Sequence, residues 1–380
     1  MKIITPEKMD QILSDMKSRG IDVVLVSDFE RGRNLNLAYL SGQPSDAQLL
    51  LFSDGYTALI AWDMVVAQKM SQVDRLIDIG EYKRSYRAAL VAALKDKLNN
   101  NFTLEVLPTE GHLLVLQLQA AFPDANIVCQ GDGIAHAFVK ARSVKTAREI
   151  EILREGTQVT NELIREIRPF IEANPGLREI DLALFMENKM KERGAQGPSF
   201  DSLVANRDRS GMIHQVPPAS EAQLDLPGLA LIDFGLMWKG YATDVTVPMT
   251  FGKLTADQQK IVDVNREAYD MAIGMLEPGV PAHRVAEAVI DYIKSKGLNM
   301  PYGLGHGIGL ETHDPPGLAP KPTDPEMLKY WRETLLVPGM IFTIEPGITS
   351  DIGGFRIEND VLMTESGPEV LTISEPIVFP

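Results

Sequence analysis

The chain has 380 residues, of which 44% are hydrophobic and 23% charged, and its net charge is −15. This length predicts two domains or one large one, and the composition is that of a soluble globular protein with a sizeable core. The acidic balance and the lack of a basic block disfavour nucleic acid as a partner. No apolar run reaches about 18 residues, so neither a transmembrane helix nor a membrane partner is expected.

The cysteine content and the N-terminal segment both predict a cytoplasmic protein. The chain has a single cysteine, Cys129, so no internal disulfide can form and secretion gains no support. The first twenty residues lack the uninterrupted apolar stretch of a signal peptide and have the pattern of a polar helix.

The first part of the chain alternates between strand and helix patterns. Buried strands are predicted from IDVVLVS and from AQLLLFSDGYTALIAW, in which residues 53–55 form a turn between two strands. A helix is predicted from KRSYRAALVAALKDKLNN, and further strands from NFTLEVLP and NIVCQ. Residues 1–138 are therefore predicted to form an α/β N-terminal domain.

The second part, residues 139–380, has longer helices. Four segments have the apolar spacing of helices: VKTAREIEILREGTQVTNELIREIRPFIEA, REIDLALFMENKMKERGA, TADQQKIVDVNREAYDMAIGML and PAHRVAEAVIDYIKSKG. Two strands are predicted around the turn at 238–240, and three strand patterns close the chain: GMIFTIEPGI, GFRIENDVLMT and PEVLTI. This pattern predicts an α+β domain with a largely antiparallel sheet, and residues 319–334 are expected to form a surface insertion.

Four carboxylates interrupt the apolar strand patterns of the second domain. They are Asp233 in LALIDFG, Asp244 in YATDVTV, Glu345 in MIFTIEPGI and Glu358 in FRIENDVLM. Each one alone is better explained by an edge position, by exposure to solvent or by an ion pair. Four in one domain indicate convergence, although two carboxylates about 4 Å apart repel by roughly 4 kcal/mol at an effective dielectric constant near 20. Two divalent cations would neutralise such a set.

A histidine lies among alternating glycines in the segment YGLGHGIGLETHDPP, residues 302–316. The spacing matches neither of the phosphate-binding glycine motifs. Its period of two is that of a strand, with the glycines on one face and His306 on the other, which would let a substrate or a neighbouring strand lie close. A glycine-rich loop with an incidental histidine is the alternative. Four carboxylates and one imidazole form an oxygen-rich ligand set that suits manganese, iron, cobalt or zinc.

The order of these motifs resembles the M24 metallopeptidases, which have the pita-bread (creatinase/aminopeptidase-like) fold and include Xaa-Pro dipeptidases and Xaa-Pro aminopeptidases. The resemblance covers the second domain from about residue 141 to the end. The segment RNLNLAYLSG resembles an element of the creatinase/prolidase-type N-terminal domain, which favours the proline-peptidase branch. The resemblance implies two divalent metal ions, manganese first and cobalt, zinc or iron as alternatives. Their implied ligands are Asp233, Asp244, His306, Glu345 and Glu358, of which Asp244 and Glu358 bridge the ions.

Three further residues match family motifs on the substrate side. His214 in RSGMIHQVPPAS matches a histidine near the substrate, and His313 matches one that stabilises the tetrahedral intermediate. Arg356 matches an arginine that could pair with a bridging carboxylate or orient substrate. The resemblance also implies a metal-bridging hydroxide as nucleophile and Glu345 as general base. Without the resemblance, the two histidines are ordinary loop residues and the arginine is a surface cation.

The activity that the resemblance implies is hydrolysis of Xaa-Pro peptide bonds by a homodimer, as a dipeptidase first and an aminopeptidase second. Departures from the family occur on the substrate side: Asp314 stands where glutamate is usual, Thr349 where an aromatic residue is common, and the element around His214 differs. A hydrolase or lyase of the same fold that acts on an ectoine derivative or on dimethylsulfoniopropionate is therefore an alternative. A creatinase or a non-catalytic binding protein is disfavoured, because such relatives lack metal ligands that this chain keeps.

Overall fold

The computed structural model describes residues 3–30, 33–131 and 133–380. The chain divides into two compact units, Met1–Ala141 and Arg142–Pro380. The domain boundary expected at residues 138/139 stays a prediction. Among the described residues, no helix combines the length and the hydrophobicity needed to cross a lipid bilayer.

The N-terminal unit is built on a mixed sheet with the strand order β4–β3–β2–β1–β5–β6. Its strands are β1 (Val23–Asp28), β2 (Ala47–Phe52), β3 (Thr57–Ala61), β4 (Arg75–Asp78), β5 (Thr103–Val106) and β6 (Asn126–Val128). The helices that begin in this unit are α1 (Pro6–Ser18), α2 (Asn36–Ser41), α3 (Met64–Met70), α4 (Tyr86–Lys97), α5 (His112–Ala121) and α6 (Ile134–Ser143). The predicted α/β class is confirmed, and so is the hairpin of β2 and β3.

Burial on both faces explains the apolar runs of this sheet. Every residue of β1 and β2 is buried, so neither strand shows an alternating pattern. Helix α4 packs on the sheet through Ala89, Leu90 and Leu94. Helix α5 was not predicted: it exposes Leu113 and Leu116, and its apolar residues therefore mark no single buried face.

The C-terminal unit contains the four predicted helices together with many short strands. Its helices in the described chain are α7 (Ala147–Ala173), α8 (Glu179–Glu192), α9 (Ala256–Met275), α10 (Ala282–Ser295) and the single turn α11 (Pro325–Leu328). Its strands are β7 (Gly197–Pro198), β8 (Leu203–Ala205), β9 (Gly228–Phe234), β10 (Leu236–Trp238), β11 (Tyr241–Ala242), β12 (Val245–Phe251), β13 (Gly305–Gly307), β14 (Asp314–Leu318), β15 (Ile341–Ile344), β16 (Gly347–Ile348), β17 (Phe355–Arg356), β18 (Asn359–Thr364), β19 (Gly367–Val370) and β20 (Ile377–Phe379).

Two sheets, each packed with a pair of helices, make up most of this unit. Strands β20–β12–β9–β8 form one sheet, and its core is shared with α7 and α8 through residues such as Ile167 and Met186. Strands β14–β13–β15–β18–β19 form the other, and its core is shared with α9 and α10 through residues such as Ala268 and Val289. The predicted α+β class with mostly antiparallel pairing is confirmed.

The strand predicted through the alternating glycines is much shorter than expected. Strand β13 covers only Gly305–Gly307, and its pairing with β14 shifts between His306 and Gly307. The backbone on either side explains both the glycines and the interruption. A Cβ on Gly305 would lie 2.1 Å from the Thr343 carbonyl oxygen, and one on Gly307 would lie 2.1 Å from the Pro315 carbonyl carbon. Neighbouring protein backbone therefore fills the space beside Gly305 and Gly307. The insertion at 319–334 lies mostly on the surface, as predicted.

Candidate metal centre

Strands of both large sheets bring the predicted ligands together. Asp233 lies near the end of β9 and Asp244 immediately before β12, in the first sheet. His306 is the central residue of β13, Glu345 directly follows β15, and Glu358 directly precedes β18, in the second sheet. The two sheets meet at a backbone hydrogen bond of 3.4 Å from the Glu358 amide to the carbonyl of Thr246 in β12.

One cavity of about 760 Å³ is lined by every predicted site residue. These residues are His214, Asp233, Asp244, His306, His313, Glu345, Arg356 and Glu358. Apolar side chains, among them Phe200 and Ile213, form another part of the wall. The cavity therefore offers a charged region and an apolar region to one small molecule.

The tightest group in the cavity consists of Asp244, His306 and Glu358. Each residue contributes one potential ligand atom, and these three atoms all lie within 4.8 Å of one another. In the part of the chain that the structure describes, no other cluster of three or more such residues meets this limit. The His306 Nε2 atom lies 3.5 Å from Asp244 Oδ2 and 3.5 Å from Glu345 Oε1. Asp233 lies outside this tight group, and its carboxylate is ion-paired with Arg356.

His306 has the protonation state that a metal ligand requires. Its Nδ1 atom lies 3.1 Å from the Gly307 carbonyl oxygen, which can only accept, so Nδ1 carries the proton. Nε2 then turns its lone pair toward the carboxylates. Burial lowers the pKa of His306 to about 4, so the ring is neutral near pH 7.

If all were ionised, the buried carboxylates would carry more negative charge than Arg356, the cation paired with Asp233, balances. Burial raises the pKa of Asp244 and of Glu358, and neighbouring carboxylates raise both further. Burial also raises the pKa of Glu345 to about 7. Asp233 Oδ1 and Asp244 Oδ1 are buried without a hydrogen-bond partner. Divalent cations would supply both the missing charge and the missing partners, so these residues fit a metal centre.

Arg356 is buried in the centre, and the interpretation of this residue as a surface cation is wrong. Its guanidinium is ion-paired with Asp233, and its Nε donates to Thr246 Oγ1 at 2.7 Å. Thr246 Oγ1 in turn donates to Glu358 Oε2 at 2.6 Å. The partner of Arg356 is thus Asp233, and its link to Glu358, one of the expected bridging ligands, runs through a threonine hydroxyl.

The two remaining histidines lie in loops at the cavity. The His313 ring packs edge-on against His306, with ring centroids 4.2 Å apart. His214 is exposed. Burial raises the pKa of Asp233, and Arg356 and, more weakly, His214 lower it, so His214 is close enough to act on that carboxylate. Both positions suit contact with a bound molecule.

Several residues that support the centre were not predicted. Thr343 Oγ1 accepts from the His306 amide at 3.1 Å and donates to Glu345 Oε1 at 3.5 Å. Asp360 Oδ2 accepts from the Asp244 amide at 3.2 Å. Asp360 was predictable by the same pattern as the other carboxylates, an acid in an apolar run. A threonine is common in strands, so Thr343 could not be predicted in this way.

Comparison with known proteins agrees with this geometry. Residues 151–365 match the model of metallopeptidase family M24, and residues 8–137 match that of the creatinase/prolidase N-terminal domain. The chain is 27% identical to a Xaa-Pro dipeptidase of Pyrococcus furiosus over 372 residues, which are 97% of this chain and 98% of the relative.

Solved structures resemble the whole chain. A Xaa-Pro dipeptidase from Bacillus anthracis is 29% identical, with a TM-score of 0.82 over 98% of this chain and 99% of that one. An X-Pro aminopeptidase from Thermotoga maritima is 26% identical, with a TM-score of 0.78 over 96% and 100% of the two chains. The predicted pita-bread catalytic domain and creatinase-type N-terminal domain are confirmed. Since the family model spans more than half of the sequence, the chain belongs to metallopeptidase family M24.

Proposed function

We propose that this chain is a Xaa-Pro dipeptidase that works with two divalent metal ions. One observation carries the proposal: four carboxylates and a neutral imidazole converge on a single cavity, and two of their buried oxygens have no partner. Similarity over nearly the full length to proteins named Xaa-Pro dipeptidase supports the substrate class.

The proposed ligands are Asp233, Asp244, His306, Glu345 and Glu358, with Asp244 and Glu358 bridging. Both bridging residues belong to the tightest group, which supports their place between two ions. An oxygen-rich set with one imidazole favours manganese first, with cobalt, zinc or iron as alternatives. When bound, the ions would neutralise the carboxylates, polarise a carbonyl group and lower the pKa of a water molecule.

The residues of the chain would divide the remaining work. Hydrolysis adds a water oxygen to the scissile carbonyl carbon and delivers a proton to the proline nitrogen that leaves. Glu345 is the proposed general base, the role that the resemblance to the family implies, and its Oε1 atom lies 3.5 Å from His306 Nε2 among the proposed ligands. His313 would donate to the carbonyl oxygen as negative charge develops. His214 at the cavity wall would contact substrate, and Arg356 holds Asp233.

A Xaa-Pro aminopeptidase is the second candidate. The similarity to the Thermotoga maritima X-Pro aminopeptidase favours it, since that structure matches the same full length. The two candidates differ in whether the cavity accepts a peptide that continues beyond proline.

Hydrolysis of Ala-Pro and of Ala-Pro-Ala by metal-free protein reloaded with Mn²⁺ or Co²⁺ tests the proposal. We expect cleavage of the dipeptide, which requires the metal, and a loss of turnover in Glu345→Gln, which keeps the shape of the residue but cannot accept the proton. Cleavage of the tripeptide would move the assignment to the aminopeptidase. If neither peptide is cleaved while two metals are bound, the peptidase proposal is wrong, and the small-molecule substrates become the next candidates.

A homodimer and a cytoplasmic location are also proposed, the first from the resemblance to the family and the second from the single cysteine. Sedimentation equilibrium tests the first, with about twice the 41.9 kDa chain mass expected.

A further inference from the structure

Tyr302 lies in the wall of the cavity and has no role in the reaction proposed above. It precedes His306 by four residues and is partly exposed. Its phenol lies against Gly347, a residue of the short hairpin of β16 and β17.

The absence of a side chain at Gly347 creates the space for the Tyr302 hydroxyl. A Cβ built on Gly347 would lie 1.5 Å from the hydroxyl oxygen and 2.6 Å from the ring carbon that carries it. Gly347 in β16 is the direct cross-strand partner of Arg356 in β17. Cross-strand partners direct their side chains to the same face, so the Tyr302 hydroxyl occupies the place beside Arg356 that a side chain at 347 would fill.

The positive charge of the Arg356 guanidinium acts on this hydroxyl. Burial raises the pKa of Tyr302 to about 12, although Arg356 acts against this rise, so the phenol keeps its proton. Arg356 is itself only 5% exposed and is engaged by Asp233 and Thr246. Tyr302 is the more exposed of the two and lines the same cavity. A hydroxyl polarised by a neighbouring cation is a stronger donor than an isolated one.

We propose that Tyr302 contacts the substrate and donates a hydrogen bond from its hydroxyl to a negatively charged oxygen of the bound peptide. This inference rests on the proposed function. Two groups of the peptide have the required chemistry. One is the free carboxylate of the C-terminal proline, and the other is the scissile carbonyl oxygen as negative charge develops on it. In either case the buried arginine acts on the substrate through the Tyr302 hydroxyl, which it polarises.

The test compares Tyr302→Phe with the wild-type enzyme, both loaded with metal. Tyr302→Phe removes the donor of a hydrogen bond to a charged group, which should lower kcat/KM for Ala-Pro about 10- to 100-fold. If the partner is the carboxylate, KM rises and product proline inhibits more weakly. If the partner is the developing oxyanion, kcat falls and inhibition by proline is unchanged. An unchanged kcat/KM overturns the inference.

Tyr330→Phe is the matched control, because this tyrosine is 65% exposed and should be replaceable without effect. Metal content and melting temperature are measured for each variant. A loss of activity in Tyr302→Phe that is accompanied by a loss of bound metal would overturn the inference, since Tyr302 would then support the metal ligands instead.

Gly347→Ala provides a second variant that keeps the hydroxyl but displaces it. It should reproduce the kinetic loss of Tyr302→Phe, because the new methyl group occupies the position of the phenol oxygen. A wild-type enzyme that fails to cleave Ala-Pro would defeat the proposed function itself. A wild-type enzyme that cleaves it, with an equally active Tyr302→Phe, would defeat only this inference.

Discussion

Thr246 connects the cation of the centre to one of its carboxylates. Its hydroxyl accepts from Arg356 Nε and donates to Glu358 Oε2, and the residue is fully buried in β12. The hydroxyl therefore fixes the orientation of a proposed bridging ligand. Partners of this kind, one step removed from a metal, orient the ligands and tune the affinity of the site.

Replacement of Thr246 by valine should weaken metal binding without changing the shape of the side chain. Valine leaves Arg356 Nε and Glu358 Oε2 buried without their partner, which costs about 1–3 kcal/mol of stability. We expect a metal affinity about 10- to 100-fold lower by titration calorimetry. Thr250→Val, at a buried position of the same strand, is the control and should bind metal normally. Equal affinities in the two variants would contradict the role given to Thr246.

Single residues of the centre were predictable where they broke a pattern. An acid in an apolar strand is costly, so Asp233, Asp244, Glu345 and Glu358 were visible in the sequence. Tyr302 was not visible, because a tyrosine beside a strand is ordinary and its role depends on the missing side chain at Gly347, 45 positions later.

At the scale of elements, the junction of β13 and β14 contains a buried cluster of charges. Arg142 Nη2 lies 2.7 Å from Asp314 Oδ1, and Lys145 Nζ lies 3.9 Å from Asp314 Oδ2. A Cβ on Gly309 would lie 2.1 Å from Asp314 Oδ2, so this turn leaves no space beside the carboxylate. The cluster fixes the first residue of β14, which directly follows His313.

Asp314→Asn should destabilise the protein much more than the loss of a surface ion pair does. It removes the buried negative charge that Arg142 and Lys145 face, and breaking a buried pair in this way costs on the order of 3–5 kcal/mol. We expect a melting temperature lower by several degrees and a lower kcat, since His313 is the preceding residue. Glu151→Gln is the control. It removes an exposed pair with Arg148 at 3.0 Å, which should cost less than about 1 kcal/mol. Similar melting temperatures for the two variants would contradict this account.

Elements were predictable from local patterns where one face is buried, and less so elsewhere. The apolar spacing indicated α7 to α10, and capping boxes at Thr146 and Thr255 begin two of them. The length of β13 was not predictable, because the approach of β14 and β15 determines where it ends.

At the scale of the whole molecule, the metal-free protein should lose stability as the pH rises. Burial raises the pKa of Glu345 from 4.5 to about 7 and that of Asp360 from 3.8 to about 8. The folded protein therefore binds more protons than the unfolded chain between about pH 4 and pH 8, and the free energy of unfolding falls across that window.

Melting temperatures measured in a chelator at pH 5.5 and at pH 8 check this expectation, with the lower value expected at pH 8. Mn²⁺ added at pH 8 should raise it again, because the cation binds only the folded protein. Metal-free Glu345→Gln should show a smaller difference between the two pH values, since its residue 345 does not ionise. A melting temperature that is the same at both values would contradict the burial of uncompensated carboxylates.

The two-part organisation was predictable from the change of pattern near residue 140, and the cavity was not. The apolar wall contains Phe200 and Ile213, whereas the imidazole of His306 comes from a segment almost a hundred positions further along. No local pattern joins such segments, because packing of the two sheets sets their distance.

The distribution of the proposed ligands over two sheets has a consequence for maturation of the enzyme. The ligands extend from Asp233 to Glu358, so a nascent chain holds no complete site until both sheets have formed and met. An incompletely folded chain would then compete poorly for scarce metal in the cell. A bound metal ion would then indicate that a chain has completed folding. Metal ions would bind selectively to chains that already have the complete site.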